Sequence, residues 1–233
     1  WVYVGTDPRK TFQIDLWGDQ SWQKYDNCSH KSIGINFKIR PHSTIDFSIN
    51  PSYNISTNKL QYIDTKSMNG DTRYLMGRID QNTISLSLRV NFSLLPNLSV
   101  QYWGQPFIAS GNYKDFKYIT NPRAGKYEDR FQEFDNSQVN YVSADDLYEI
   151  DDDKDGTIDY TLSDPDFNVL QFKSNLVARW EYSPGSTLFL VWSQNRDEYI
   201  PTGDFRFREN LNSLGKVFPE NFFLVKLTYR FGL

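Results

Sequence analysis

Ile84-Ser85-Leu86-Ser87-Leu88-Arg89-Val90-Asn91-Phe92-Ser93-Leu94 alternates apolar and polar residues without a break. Successive side chains of a β-strand point to opposite faces, so this stretch reads as a strand with one oily face and one lined by Ser, Arg and Asn. Ile45, Phe47, Ile49, Pro51, Tyr53 and Ile55 alternate in the same way with Asp46, Ser48, Asn50, Ser52 and Asn54. Both runs reach the roughly 9–11 residues that a strand needs to cross a bilayer, whereas strands of soluble domains average about 5–6. The period recurs in Ile33, Ile35, Phe37 and Ile39, in Phe12, Ile14 and Leu16, and in Val225, Leu227, Tyr229 and Phe231. It recurs with one exception, Val177, in Phe172, Leu176, Ala178, Trp180 and Tyr182, and less cleanly in Leu188 to Trp192. No stretch has helical periodicity, so the expected helix content is a turn or two in the loops.

The connections alternate in width. Asp7-Pro8-Arg9-Lys10, Arg40-Pro41-His42-Ser43, Leu95-Pro96-Asn97 and Ser183-Pro184-Gly185-Ser186 are tight. Between them fall wider ones at 26–30, 66–72, about 113–165 and about 201–219. An up-and-down meander with one trimmed rim and one elaborated rim gives this order, as in outer-membrane barrels with short periplasmic turns and long outer loops. The pattern predicts strands over about 11–25, 31–40, 43–65, 73–94, 97–112, 168–182, 186–199 and 221–232, with a partial strand over 1–6. Eight strands can close a barrel, but the short leading strand points to the C-terminal part of a larger one. The expected fold is therefore all-β: an antiparallel up-and-down transmembrane β-barrel region over 1–233. Tyr102, Trp103, Trp180, Tyr182, Tyr229 and Phe231 near strand ends fit interfacial girdles. A soluble all-β binding domain, with its oily face turned inward, is the alternative.

Composition narrows the function classes. The 233 residues carry 25 Lys+Arg against 29 Asp+Glu, a net charge of -4, which argues against a nucleic-acid partner. No run of about 18 apolar residues exists, so no transmembrane helix is expected. One Cys and two His exclude a disulfide framework and a Cys-based zinc site. Trp1-Val2-Tyr3-Val4 carries no basic leader, so a signal peptide is already removed or the chain starts inside a longer one.

Three stretches carry a family resemblance. They are Asn97-Leu98-Ser99-Val100-Gln101-Tyr102-Trp103-Gly104-Gln105-Pro106-Phe107 with Gly111-Asn112-Tyr113-Lys114-Asp115-Phe116-Lys117, then Asp155-Gly156-Thr157-Ile158-Asp159-Tyr160 leading to Asp164-Pro165-Asp166-Phe167-Asn168, then Ser174 to Thr187 followed by Val191-Trp192-Ser193-Gln194. They resemble the Bacteroidota family named domain of unknown function 5916, well over about 80–233 and more loosely before it. The resemblance implies an outer-membrane barrel, often preceded by a sandwich similar to family 9 carbohydrate-binding modules. It supplies no catalytic residues.

The sharpest local motif is Asp151-Asp152-Asp153-Lys154-Asp155-Gly156-Thr157-Ile158-Asp159. Calcium takes six to eight oxygen ligands, and a D-x-D-x-D-G loop offers carboxylates at positions 1, 3 and 5, a glycine for the turn and a carbonyl at 7. Asp151, Asp153, Asp155, the Thr157 carbonyl and Asp159 are the candidate Ca2+ ligands. Leu162 stands where an EF-hand has its bidentate Glu, which predicts weaker binding unless Asp145, Asp146, Glu149 or Asp164 folds back. A solvated acidic loop tip is the competing reading.

Asp15, Lys38, Arg40, Asp46, Arg89, Lys173, Arg179, Glu181, Lys226 and Arg230 fall on the polar registers. They are expected to pair across strands inside the lumen or to line a water path. Cys28 with His30, and Glu128 with Glu133, are the only nucleophile–base or acid–base pairs on offer, and loops give neither a scaffold. Trp17 and Trp103 fall off the apolar registers and are the better candidates for stacking on sugars. The function expected is an outer-membrane anchor or channel for surface glycan binding or uptake, with lipid and a larger outer-membrane complex as partners. A carbohydrate-active hydrolase with its site on the loops or upstream is the second reading.

Overall fold

The computed structural model describes residues 1–24 and 27–231. The expected strand ends at Tyr25 and at Gly232, and the expected loop start at Asp26, lie outside the described residues. Thirteen strands form among those described. They are β1 (Val2–Gly5), β2 (Phe12–Gln23), β3 (Cys28–His42), β4 (Ile45–Met68), β5 (Asp71–Leu95), β6 (Leu98–Ile119), β7 (Phe131–Glu133), β8 (Val139–Val142), β9 (Leu147–Ile150), β10 (Tyr160–Ser163), β11 (Phe167–Ser183), β12 (Ser186–Ile200) and β13 (Glu220–Thr228). One helix, α1 (Phe207–Lys216), precedes β13.

The large sheet is antiparallel and runs in the order β1-β2-β3-β4-β5-β6-β11-β12-β13, with β7 added against β6. β8, β9 and β10 form a separate three-stranded sheet. Each large strand lies beside its neighbour in the chain, apart from the excursion between β6 and β11, so the sheet is an up-and-down meander. It is open among the described residues: β1 and β13 are its two edges and do not pair with each other.

The registers turn the alternation of single strands into rungs that cross the sheet. Residues directly opposite share a face. Phe12, Ile39, Phe47, Val90, Tyr102, Leu176, Trp192 and Phe223 are successive partners across eight strands. One residue along, on the opposite face, the rung reads Gln13, Lys38, Ser48, Arg89, Trp103, Asn175, Ser193 and Phe222. On β5 the apolar face runs from Ile84 to Leu94. At about 3.4 Å per residue and a tilt near 45°, that is a band about 25 Å tall, the height typical of outer-membrane barrels.

The buried core sits away from this band. Leu75, Phe116, Phe134, Ile150 and Leu162 cluster where the far ends of β4, β5 and β6 meet the small sheet. Ile108, Leu170 and Leu214 form a second cluster, where α1 sits on the upper edge of the band. Among the described residues, neither buried cluster extends over the middle of the band. On interior strands of this face Ile33, Ile35, Leu190 and Trp192 are exposed, and Ile49, Leu88 and Tyr102 are half-buried.

Several expected boundaries are corrected. The supposed wide connection at 66–72 is a two-residue turn, because Asn69 and Gly70 both take positive φ (50° and 88°), the conformation an Asn-Gly hairpin turn needs. β4 and β5 therefore form one long hairpin. β6 runs to Ile119 rather than 112, while its start at Leu98 leaves Tyr102 and Trp103 four and five residues into the strand. The loop at 201–219 holds a ten-residue helix, longer than the turn or two expected. Phe207, Leu211 and Leu214 give that helix one apolar stripe at i, i+4, i+7. The stripe is too short to stand out among alternating strands.

Candidate functional site

The acidic loop joins β9 to β10. Its turn is made by Lys154 and Gly156, at φ 64° and 88°. Asp155 N donates to Asp151 Oδ1 and to Asp153 Oδ1, each at 3.2 Å, and Gly156 N donates to Asp151 Oδ2 at 3.0 Å. These bonds curl the segment so that carboxylate oxygens of Asp151, Asp153 and Asp159 lie within 4.8 Å of one another. The Asp153 carboxyl is pushed above its usual value, first by desolvation, and the charges of Asp155, Asp159 and Asp151 add to the shift.

Of the four expected carboxylate ligands, Asp155 stands outside that group. The Asp155 carboxylate accepts from Thr157 N at 2.8 Å and from Thr157 Oγ1 at 2.6 Å. Those bonds hold its carboxyl below its usual value. Asp159 serves the backbone as well, accepting from Asp152 N at 2.7 Å. A three-carboxylate set with hard oxygen donors fits calcium, with carbonyls and water filling the remaining positions.

Sequence reading passed over Asp152, the residue that anchors the loop. Its carboxylate is buried and accepts from Arg73 Nε at 2.7 Å and from Tyr160 Oη at 3.2 Å. Gln138 Nε2 donates to its carbonyl at 2.8 Å. Its partner Arg73 lies 79 residues away in the chain, so nothing in the Asp-rich run itself marks Asp152 out from its neighbours. Lys154 reaches outward to Asp135 at 2.6 Å.

On the polar face, the expected cross-strand pairing is realised in part. Asp46 takes both Lys38 and Arg40 at 2.9 Å, and Arg179 meets Glu181 at 3.0 Å. Arg89, Lys173 and Lys226 stand on this face without an ion pair among the described residues. Trp17 and Trp103 lie on it, as their registers required. The Trp17 ring covers Gly34, where a Cβ would come within 2.4 Å of ring atoms. Trp103 Nε1 donates to Ser87 Oγ at 3.2 Å.

The catalytic alternatives find no geometry. Cys28 and His30 belong to β3 rather than to a loop. The Cys28 thiol donates to Asn58 Oδ1 at 3.3 Å, and His30 Nε2 stands 3.8 Å from Asp19 Oδ2. Glu133 pairs with Lys117 at 3.4 Å, while Glu128 opens a 3-10 turn (Glu128–Arg130).

A family model described as "Domain of unknown function (DUF5916)" matches residues 1–231 of this chain. No curated protein and no solved structure matches it.

Proposed function

The chain belongs to the DUF5916 family, and from that premise we propose that it is a wall of an outer-membrane β-barrel, serving as membrane anchor or channel for the binding or uptake of surface glycans. The carrying observation is the apolar band. Rung after rung of Ile, Leu, Val, Phe and Trp crosses the sheet with nothing packed on its middle, among the described residues. An oily surface of that extent on a chain in water is an aggregation site; against acyl chains it is the surface that holds a barrel in place.

In this reading the charged face lines a wet interior, and further strands complete the wall between β13 and β1. Unpaired Arg89, Lys173 and Lys226 give that interior cationic points, while Trp17 and Trp103 offer flat surfaces on which sugar rings can stack. The small sheet and the acidic loop stand at the outer rim. Ca2+ held by Asp151, Asp153 and Asp159 would neutralise three mutually repelling carboxylates and brace that rim.

Extraction decides the membrane reading. The full-length protein should stay with membranes through salt and alkaline washes and enter solution only with detergent. A folded monomer in plain buffer overturns it and favours the soluble binding domain. Planar-bilayer recording separates channel from anchor: conductance that persists across salts supports the channel, and silence at every voltage leaves the anchor.

A further inference from the structure

Above the apolar band the same face of the sheet changes character. The next rung is Gln20, Lys31, Ile55, Asn82, Ser110 and Asn168. The one after is Trp22, Ser29, Thr57, Asp80 and Asn112. Two rungs are about 14 Å along a strand, or about 10 Å of height at barrel tilt. In the membrane reading that is the layer of lipid headgroups, just beyond the hydrocarbon.

Trp22, Ser29 and Thr57 of that rung line a cavity of about 980 Å3 together with Lys24, Lys59 and Lys126. None of the three lysines has an ion-pair partner among the described residues. Arg78 stands in the same wall, its charge shared with Asp80 at 3.1 Å and Asp115 at 3.9 Å. Glu128 is the one carboxylate among the described lining residues. In a chain of net charge -4 this is a local reversal of sign. Tyr127 closes one side by donating its hydroxyl to the Lys59 carbonyl at 3.1 Å. Trp22, 72% exposed at the mouth, is the residue type that settles at a membrane–water boundary.

We propose that this cavity binds the phosphate groups of an anionic glycolipid headgroup in the outer leaflet, an inference that rests on the membrane reading above. Position separates it from a site for soluble acidic glycans. The cavity lies over the lipid-facing side of the wall, while the surfaces offered to glycans lie on the polar side. Lysine ammonium groups on flexible stems suit phosphate oxygens presented as point charges. Farther along the same edge, α1 buries Leu214 against Ile108 and Leu170 and leaves Phe207 and Leu211 exposed, as a helix lying in the headgroup layer does.

The test is binding of phosphorylated diglucosamine lipid (lipid A) to the full-length protein in detergent micelles, read by native mass spectrometry. Its dephosphorylated form, inorganic phosphate and polygalacturonate are the comparisons. Wild type should hold the phosphorylated lipid well above the dephosphorylated one, and neither soluble anion should displace it. Lys59→Gln with Lys126→Gln should weaken binding about twenty-five-fold, taking roughly fivefold for each cation lost at an anionic surface. Lys10→Gln, in the turn at the opposite rim, should bind as wild type, and unchanged heat-modifiable gel mobility shows that each variant has folded. Equal binding of both lipid forms, or of wild type and the double variant, overturns the site. Displacement by inorganic phosphate or polygalacturonate overturns the lipid as its ligand. A protein that needs detergent yet fails these tests loses only this inference; one that is soluble without detergent loses the membrane reading as well.

Discussion

Arg73 Nε donates to Asp152 Oδ2 across 2.7 Å, joining the raised end of β5 to the acidic loop through a carboxylate that is only 2% exposed. The guanidinium also lies 4.6 Å from the centroid of the Tyr118 ring, which adds a cation–π contact on its other side. The loop is thus held from beneath by Asp152, while Asp151 and Asp153 remain free to face outward. Asp152→Asn keeps the shape and removes the charge. Breaking a fully buried pair costs about 3–5 kcal/mol, and the 24% exposure of Arg73 discounts this to about 2 kcal/mol. Amide hydrogen exchange should show that loss in β8, β9 and β10 and leave β3 and β4 unchanged.

The commitments of Asp153 and Asp155 differ, and calcium should expose the difference. Asp153 contributes to the three-carboxylate group, while Asp155 is engaged by Thr157. Terbium luminescence, a probe of calcium-type oxygen sites, should be lost in Asp153→Asn. It should survive at reduced affinity in Asp155→Asn. Equal loss in both would mean that Asp155 swings into the site. No signal in the wild type would leave the cluster as a solvated tip.

The lower part of the fold was legible because long strands with one apolar and one polar face have little freedom. A strand such as Ile84 to Leu94 must alternate over its whole length, so the period speaks from sequence alone. The register follows once Pro96-Asn97 and Pro184-Gly185 fix the tight turns. What stayed hidden lies above the band, where the faces no longer divide into oil and water. Asn69-Gly70 carried its own turn signal, and its reading as a wide loop weighed the polar residues around it over the dipeptide. The small sheet built from Val139–Val142, Leu147–Ile150 and Tyr160–Ser163 uses four-residue strands, too short for any period to show. Asp152 needed the tertiary partner Arg73, 79 residues away, which no local pattern supplies.

Acid should loosen the segment before β8 through Asp135. Lys154 donates to its carboxylate at 2.6 Å, and Ser137 donates through both its hydroxyl and its backbone N–H. Together, with Lys154 the largest contributor, they hold the Asp135 carboxyl well below its usual value. A carboxyl depressed in the folded state contributes stability that is whole above its unfolded pKa, near 3.9, and fades as pH falls below it. Hydrogen exchange at Ser137 and Gln138 should therefore quicken as pH drops through that window, after correction for intrinsic rates. Lys154→Gln should remove much of the pH dependence. A wild-type profile that is flat through the window would show that the pair carries no stability.

The two faces of the sheet make opposite demands on a single charge. Leu88 lies mid-band, opposite Ile49 and Gly104, on the apolar face. Asn50, opposite Ser87, lies on the polar face at nearly the same height. Placing Arg at a lipid-facing midplane position costs about 2–4 kcal/mol, whereas a lumen position meets water. Leu88→Arg should therefore cut folding into lipid vesicles sharply, and Asn50→Arg should fold within about 1 kcal/mol of wild type. The band is also what a soluble core would be made of, so Leu88→Arg alone cannot separate the two environments. Solvent can. Leu88→Cys should resist a membrane-impermeant maleimide in vesicles and react once lipid is replaced by short-chain detergent. In a dry protein core it would stay protected in both. In water it would react in both, and either outcome would turn the sheet's oily face away from the bilayer.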